Sequence, residues 1–316
     1  MIGDVHLADK PPSVRTETYA QDILDKLAWL SVEAYNRGCD FILQLGDIFH
    51  IKSPFRNSHW LVQSAHEALY RGGLPVVLIA GNHDLMHDRL ESIPSQPLGA
   101  LSKMEGMTLL EGWHDTYPVF GIPYLADWST LQERLDIYNI TLGNVPTLYG
   151  DVIPLVATHA PLFPPGEAPI YDSIDPADWA KLQTKGSVSY GHIHDPHGTY
   201  VVGNVQFANF GAISRGSLHA ETLKRKPQAA IYDFATGQYE VLGVPHKPAE
   251  EVFRLEEHGQ KVAKEKNLAA FLEGIDGKTL EVTSVEKVID DISKMGLSAE
   301  TSAMARELVE EAYARH

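Results

Sequence analysis

The sequence is poor in cysteine, in long apolar runs and in positive charge. Cys39 is the single cysteine among 316 residues, which excludes an intramolecular disulfide, and its place before the apolar run 41–43 predicts a buried structural thiol. No stretch reaches the roughly 18 apolar residues of a membrane span, and the first residues lack the basic and apolar regions of a signal peptide. We therefore expect a cytoplasmic protein with no membrane partner.

Positive charge is scarce because 26 lysines and arginines stand against 42 aspartates and glutamates, which gives a formal net charge of -16. Such a surface repels phosphate over most of its area, so it excludes a protein that binds nucleic acid everywhere. It still permits a local nucleic-acid groove, because bound divalent cations supply positive charge where it is needed. A hydrophobic content of 44% is typical of a globular protein with a large core.

The pattern of apolar residues alternates between strand and helix in the first two thirds of the chain. Buried strands that alternate with helices indicate an α/β protein, and polar residues follow two of these strands directly, where open α/β sheets form their ligand sites. The predicted helices run from a cap at Thr16 to Gly38 and from 57 to 71, and the predicted strands span 41–45, 75–80, 153–157 and 188–190.

The pattern changes after residue 200. Short β-rich segments follow, including a predicted hairpin that joins 230–232 to 239–241. Prolines at 245 and 248 then precede a more charged and more helical stretch. We therefore predict a catalytic domain at 1–247 and a small α+β capping region, with a candidate partner-binding role, at 248–316. Within this region the pattern predicts strands at 252–255 and 279–282 and helices at 262–272, 285–295 and 298–314.

Histidine, by contrast, is abundant, with 15 residues, and many of them fall in short polar motifs after predicted strands. A single Asp-x-His is more often ordinary surface than a metal site, but several such motifs in order indicate a metal centre. Their mixed oxygen and nitrogen donors suit Mn, Fe or Zn, and a pair of such ions would neutralise a phosphate diester and activate water. The motifs are Asp4-Val5-His6, Gly46-Asp47-Ile48-Phe49-His50, Gly81-Asn82-His83-Asp84, Thr158-His159 and Gly191-His192-Ile193-His194.

This ordered set resembles the calcineurin-like metallophosphoesterase superfamily over residues 4–194. The resemblance implies a metallophosphoesterase β-sandwich flanked by helices, in four α/β/β/α layers. It also implies two divalent metal ions, with Mn²⁺ expected and Mg²⁺, Fe²⁺ or Zn²⁺ as alternatives. By the resemblance, one ion is held by Asp4, His6, Asp47 and His194, and the second by Asp47, Asn82, His159 and His192.

Two further histidines are candidate catalytic residues. His83 directly follows a predicted ligand, so it can act beside the metals as a general acid or a charge stabiliser. The alternative is a histidine that only bonds to the backbone. His50 stands where protein phosphatases of the superfamily carry Asp-Arg-Gly, and the motif that ends at His50 resembles SbcD-type DNA repair nucleases, in which this histidine helps to place DNA. The runs 191–196 and 210–214 are similar to that branch as well.

The resemblance therefore implies a two-metal phosphodiesterase that acts on DNA, as an exonuclease or endonuclease subunit in end processing, repair or recombination. It further implies a homodimer and an SbcC-type, SMC-like ATPase partner, for which the helices at 285–314 are candidate docking elements. Lys52, Arg56 and Arg89 are candidate contacts to DNA phosphates, although a basic loop residue is more often simply solvated. The alternative function is a phosphoesterase that acts on a small nucleotide or pyrophosphate diester with the same metals.

Overall fold

The fold is described by a computed structural model that covers residues 1–255 except 13, 126, 168–172 and 217–223. Its helices are α1 (Tyr19–Asn36), α2 (His59–Leu69), α3 (Pro97–Leu101), α4 (Trp128–Leu142), α5 (Val145–Tyr149), α6 (Pro176–Leu182) and a last short helix, Ala249–Val252. Its strands are β1 (Ile42–Gln44), β2 (Val76–Leu78), β3 (Met107–Leu109), β4 (Gly112–Trp113), β5 (Val119–Ile122), β6 (Leu155–Thr158), β7 (Ser187–Tyr190), β8 (Gly198–Val202), β9 (Val205–Asn209), β10 (Gln228–Asp233) and β11 (Gln238–Gly243).

The strands form two mainly parallel sheets and one hairpin. The first sheet has the order β1-β2-β3 and is parallel throughout, and Ile2 lengthens it through a parallel bridge to Gln44. The second sheet has the order β4-β5-β6-β7-β9-β8, with parallel inner strands and antiparallel strands at both edges. The predicted hairpin is present as β10 and β11, in which Ile231 pairs with Glu240.

The two sheets lie face to face between two layers of helices. Successive side chains of a strand point to opposite faces. On β1, Ile42 packs with apolar residues of α1 and α2, while Leu43 packs with the second sheet. On β6, Leu155 belongs to the same core between the sheets, while Val156 packs with residues of α4 and α6. The predicted four-layer α/β/β/α arrangement is therefore confirmed.

The first helices begin and end close to the predicted positions. Gly38 has φ of +70° just beyond the end of α1, where a residue without a side chain is favoured. Ser58 caps α2 by accepting a hydrogen bond of 3.1 Å from the amide of Leu61. The prediction that Thr16 caps α1 was wrong, because the helix begins later in the chain. Thr18 holds the capping position, and the carbonyl of Thr16 accepts from the amide of Tyr19 in the turn that precedes the helix.

Two other expectations are corrected. Cys39 is half-buried rather than fully buried, because it lies in the exposed turn after α1. No strand forms at the predicted position 252–255, because Val252 ends the helix Ala249–Val252, whose alanine and two glutamates favour helix and which starts directly after Pro248. Phe253 makes only an isolated bridge to Arg15.

The end of the catalytic unit lies beyond the β-rich segments. Residues Met1–Phe253 form one compact unit. The boundary proposed at 247 stays a prediction, and the elements predicted at 262–314 lie outside the described residues. In the part of the chain that the structure describes, no helix combines the length and the apolar character needed to cross a membrane.

Candidate metal centre

Loops that leave the carboxyl ends of four parallel strands meet at one edge of the two sheets. They follow β1, β2, β6 and β7. The segment after Ile2 joins them, because the amides of Val5 and His6 donate hydrogen bonds to the carbonyl of Asp47. Because these loops start at neighbouring strand ends, their polar side chains converge. The structure brings together all of the predicted ligands: Asp4, His6, Asp47, Asn82, His159, His192 and His194.

One half of the centre contains Asp4, His6 and His194. Nε2 of His6 lies 2.8 Å from Nε2 of His194, and Oδ1 of Asp4 lies 3.9 Å from each of these nitrogens. Two neutral imidazole nitrogens at this distance need either a shared proton or a cation between them. Asp4 and His6 are buried, whereas the side chain of His194 is 47% exposed, so this half opens to solvent beside His194.

The other half contains Asn82, His159 and His192. Oδ1 of Asn82 lies 3.1 Å from Nε2 of His159 and 3.1 Å from Nδ1 of His192. The opposite nitrogen of His159, Nδ1, donates to the carbonyl of Leu45 at 2.8 Å, so Nε2 is the nitrogen turned to the centre. The ring of Tyr124 stacks on that of His192 with centroids 5.9 Å apart, which restricts the orientation of this imidazole.

Asp47 lies between the two halves. Its Oδ2 is 3.7 Å from Nε2 of His6 on one side and 3.3 Å from Nε2 of His159 on the other. Its Oδ1 accepts a hydrogen bond of 2.7 Å from the amide of His83. A carboxylate placed in this way can contribute to two cation sites at once, as a two-metal centre requires.

The electrostatics of the donors fit divalent cations. Burial lowers the pKa of His6 well below its ordinary value and that of His192 to about 3, so both imidazoles are neutral, which is the metal-binding form. Burial also opposes protonation of His159, but Asp47 and Asp4 outweigh it and raise the pKa of His159 to about 9. In the absence of metal a second proton is therefore bound to this ring at neutral pH, and a cation would compete with that proton.

Strained backbone is concentrated at the centre. His6, Asp47 and His192 have φ of 49°, 54° and 74°, in the left-handed region that side chains disfavour. Such conformations cost roughly 1–3 kcal/mol each and persist only where surrounding contacts enforce them. Among the described residues, the other non-glycine positions with positive φ are His87 and Asp88, which closely follow the third motif in the sequence. The fold thus maintains an unfavourable backbone in order to aim these donors.

Glycine is required where the loops approach one another. Gly46 has φ of +101°, and a Cβ there would lie 2.3 Å from Nδ1 of His159. A Cβ on Gly81 would lie 2.2 Å from Oδ1 of Asp47. Both distances are far below any tolerated contact. Glycine is therefore required before Asp47 and before Asn82, because a side chain at either position would collide with another loop of the site.

Asp84 is a residue that the sequence reasoning left without a role. Its buried Oδ2 accepts from the amides of Asp47 at 2.8 Å and Gly81 at 2.9 Å. Burial and the nearby charge of Asp47 raise the pKa of Asp84 to about 7. Tyr19, likewise not singled out, donates to the carbonyl of His6 at 2.8 Å. The only signal for Asp84 in the sequence was its place at the end of the third motif.

The candidate catalytic histidines lie beside the ring of His6. Nδ1 of His83 donates to the carbonyl of His50 at 2.7 Å, which leaves Nε2 as the nitrogen available for other partners. The rings of His50 and His83 are nearly parallel with centroids 5.5 Å apart, and they lie 5.4 and 4.8 Å from the ring of His6. Nδ1 of His50 is buried and has no hydrogen-bond partner among the described residues.

The candidate DNA contacts lie in the loops that follow His50 and the third motif. Lys52 is paired with Asp88 at 2.9 Å, which ties the two loops together. Arg56 and Arg89 are exposed, and neither forms an ion pair with a residue that the structure describes. Their guanidinium groups therefore remain accessible to a ligand in solution.

A family model described as calcineurin-like phosphoesterase matches residues 1–196. No curated protein is matched by the sequence. Among solved structures, the chain is similar to TT1561 of Thermus thermophilus, with a TM-score of 0.48 and 14% identity, covering 70% of this chain and 94% of the other. It is also similar to a dimetal phosphatase from Danio rerio, with a TM-score of 0.45 and 15% identity, covering 67% and 86%.

Proposed function

The chain belongs to the calcineurin-like phosphoesterase family, and from that premise we propose that it is a two-metal phosphodiesterase that hydrolyses DNA. The proposed role is that of an SbcD-like exonuclease or endonuclease subunit in DNA end processing, repair or recombination. The observation that carries the proposal is the place of the His50 and His83 rings, 5.4 and 4.8 Å from the ring of His6 in the candidate metal centre. Protein phosphatases carry Asp-Arg-Gly where this chain has His50, so an imidazole at this place supports the nuclease branch.

The proposal assigns two divalent cations to the converging donors. Asp4, His6 and His194 would hold one, and Asn82, His159 and His192 the other, with Asp47 shared. When bound, the ions would neutralise the phosphate and activate the attacking water. Manganese is the proposed metal, as the resemblance implies, and the mixed imidazole, amide and carboxylate donors suit iron and zinc as well.

In this proposal, His83 supplies the proton that the leaving group needs. The bond from its Nδ1 to the carbonyl of His50 fixes the ring with Nε2 free to face a substrate. A protonated Nε2 can donate to the departing alkoxide, which makes that oxygen a better leaving group. His50 has two proposed roles. Its carbonyl orients His83, and its own imidazole lies close enough to help position the phosphate.

DNA would be held near the centre by a few local contacts. Arg56 and Arg89 are exposed on loops that lead away from His50 and His83, and Lys52 lies between them in the ion pair with Asp88. The net charge of -16 repels DNA elsewhere on the surface. Binding is therefore proposed to be weak away from the metals, and with so few phosphate contacts it should depend only moderately on salt.

The proposed assembly follows the same branch of the family. It is a homodimer with an SbcC-type, SMC-like ATPase as partner, and it acts in the cytoplasm. The candidate docking helices at 285–295 and 298–314 lie outside the described residues. Co-purification with the ATPase and sedimentation of the isolated chain would test these two partners separately.

The activity itself is tested with the purified chain, Mn²⁺ and two substrates in parallel. A labelled linear DNA duplex should be degraded, and bis-p-nitrophenyl phosphate should be hydrolysed as a simple diester. Turnover of the small diester with an intact duplex would instead favour the alternative, a phosphoesterase for a small nucleotide or pyrophosphate diester. Hydrolysis of neither substrate with Mn²⁺, Mg²⁺, Fe²⁺ or Zn²⁺ would contradict the phosphodiesterase proposal.

A further inference from the structure

Four basic side chains lie close together at a site apart from the candidate metal ligands. It is a cavity of about 320 Å³ that opens between α1, the segment after Ile213 and the chain around residue 247. No predicted metal ligand lines this cavity. Its charged lining residues are Arg15, Lys26, Arg215 and Lys247, together with Asp22 and Asp25.

Three of these cations are buried. Arg15 is 1% exposed, Arg215 3% and Lys26 6%, although charged side chains are almost never buried so deeply unless they are paired. A buried cation that lacks a counter-charge loses its hydration without compensation. The cavity is therefore lined by cations that have lost most of their contact with water.

The hydrogen bonds of these cations leave donors unused. Arg15 donates to the carbonyl of Arg215 at 2.8 Å and to Asp22 at 3.2 Å, and Arg215 donates to the carbonyl of Lys247. Lys26 donates to the carbonyl of Ile213 at 2.9 Å. Nε of Arg15 and Nε of Arg215 are buried and have no partner among the described residues. Carbonyls bind these groups without cancelling their charge.

The acidic residues of the cavity do not balance the cations. Asp22 is shared between Arg15 and Lys247, which lies 2.6 Å away, and Asp25 is exposed at the rim. Burial, followed by the repulsion of Arg215 and Arg15, lowers the pKa of Lys26 to about 7. The lowered pKa shows that the neighbouring guanidinium groups repel a proton on Lys26. Two exposed acids outside the lining, Glu250 and Glu251, act on Arg215 and Lys247 from a distance.

We propose that this cavity is a binding site for a tetrahedral oxyanion of the phosphate class. Guanidinium groups recognise such oxygens through directed N–H bonds, and Arg15 and Arg215 both line the cavity. A water molecule takes about 30 Å³ of liquid volume, so the cavity has room for a phosphate and for a small group attached to it. The inference does not rest on the proposed nuclease activity, because no predicted metal ligand lines the cavity.

The cavity is connected to the metal centre through two residues, Ile213 and Tyr19. Ile213 accepts from Lys26 with its carbonyl, and its amide donates to the carbonyl of Asp4 at 3.0 Å. Tyr19, which packs under the guanidinium of Arg15, donates to the carbonyl of His6. An anion that neutralises this cluster therefore stabilises the backbone that carries two predicted ligands.

Binding is tested on the full chain after removal of metals with EDTA, so that phosphate cannot bind through a cation. Inorganic phosphate is titrated calorimetrically in a Tris chloride buffer. We expect one saturable site in the parental chain, an affinity at least tenfold lower in Arg215→Gln, and a smaller loss in Lys247→Gln, which alters only a half-exposed cation. Arg37→Gln is the matched control, because it removes one positive charge from an exposed ion pair elsewhere and should leave affinity unchanged.

Two results would overturn the proposal: no saturable binding by the parental chain, or an equal loss of affinity in Arg37→Gln, which would mean nonspecific attraction. A His159→Ala variant that abolishes phosphate binding would also overturn it by locating the ion in the metal centre. Competition by adenosine 5′-monophosphate distinguishes the source of the anion. Displacement of phosphate assigns the site to a nucleotide phosphate, and undisturbed phosphate binding assigns it to the free ion.

Discussion

The main-chain amide of Asp47 donates a hydrogen bond of 2.8 Å to the carboxylate of Asp84. The same oxygen of Asp84 accepts from the amide of Gly81 at 2.9 Å, so it joins the loops that follow β1 and β2. Asp47 has a positive φ of 54°, a conformation that needs support from its surroundings. Asp84 provides that support and thereby orients the carboxylate at the middle of the centre.

Replacement of Asp84 should therefore weaken metal binding without removing a ligand. Residues that orient ligands typically contribute 10- to 100-fold to metal affinity, and we expect Asp84→Ala to bind Mn²⁺ weaker by about that factor. Calorimetric titration with Mn²⁺ measures it. Asp178→Ala, which alters an exposed acid on α6, should bind Mn²⁺ like the parental chain. Parental affinity in Asp84→Ala would show that the backbone of Asp47 needs no such support.

Replacement of His83 should separate catalysis from metal binding. General acid catalysis typically contributes about 10²- to 10⁴-fold, so His83→Ala should lose about that factor in DNA cleavage while it keeps its Mn²⁺ affinity. The control is His59→Ala, since His59 is exposed at the start of α2. Cleavage at the parental rate by His83→Ala would remove His83 from the proposed mechanism.

A methyl group at Gly81 should disturb the centre more than one at another glycine. The added Cβ would lie 2.2 Å from Oδ1 of Asp47, so Gly81→Ala should lower both Mn²⁺ affinity and the melting temperature. Gly143 ends α4 with φ of -61°, and a Cβ added there would meet no atom within 4 Å among its described neighbours. Gly143→Ala should match or slightly exceed parental stability. Equal effects of the two substitutions on metal affinity would contradict the crowding argument.

Local patterns were sufficient to predict the alternating strands and helices and the polar motifs at strand ends, whereas the four layers and the assignment of the ligands came from the resemblance to the metallophosphoesterases. Apolar runs such as 75–80 are buried strands, and a polar motif directly after a parallel strand must lie at the carboxyl edge of the sheet. The role of Asp84 was not predictable in the same way. Its partners are main-chain amides, including that of Asp47, which is 37 positions away, and backbone donors leave no trace in the sequence.

The buried cation Lys26 should make stability depend on pH in a defined direction. Its pKa in the folded chain is about 7, below the ordinary value of 10.5, so the unfolded chain holds more protons between these values and stability rises with pH there. The cost of burying the charge is fully present below pH 7. Lys26→Met should therefore be more stable than the parental chain at pH 6, on the order of 5 kcal/mol, and lose most of this advantage toward pH 10.

Urea denaturation in chloride buffers free of phosphate and sulfate measures this difference. Lys181→Met, which changes an exposed lysine on α6, is the control and should show no comparable trend between pH 6 and 10. An advantage of Lys26→Met that stays constant over this range would mean that Lys26 does not titrate there.

The cationic cavity illustrates what sequence patterns omit. Arg15 and Arg215 are 200 positions apart and meet only because the segment after β9 returns to α1. Each arginine alone has the properties of an ordinary surface residue in the sequence. Arg225 shows the same limit, since its side chain turns inward to donate to the carbonyls of His194 and Ser214, although it stands in a basic run.

The most direct test of the account is anomalous scattering at the manganese edge from crystals soaked in Mn²⁺. We predict two peaks on opposite sides of Asp47, one in contact with Asp4, His6 and His194 and the other with Asn82, His159 and His192. A single peak, or two peaks with the carboxylate of Asp47 turned away from both, would contradict the two-metal centre.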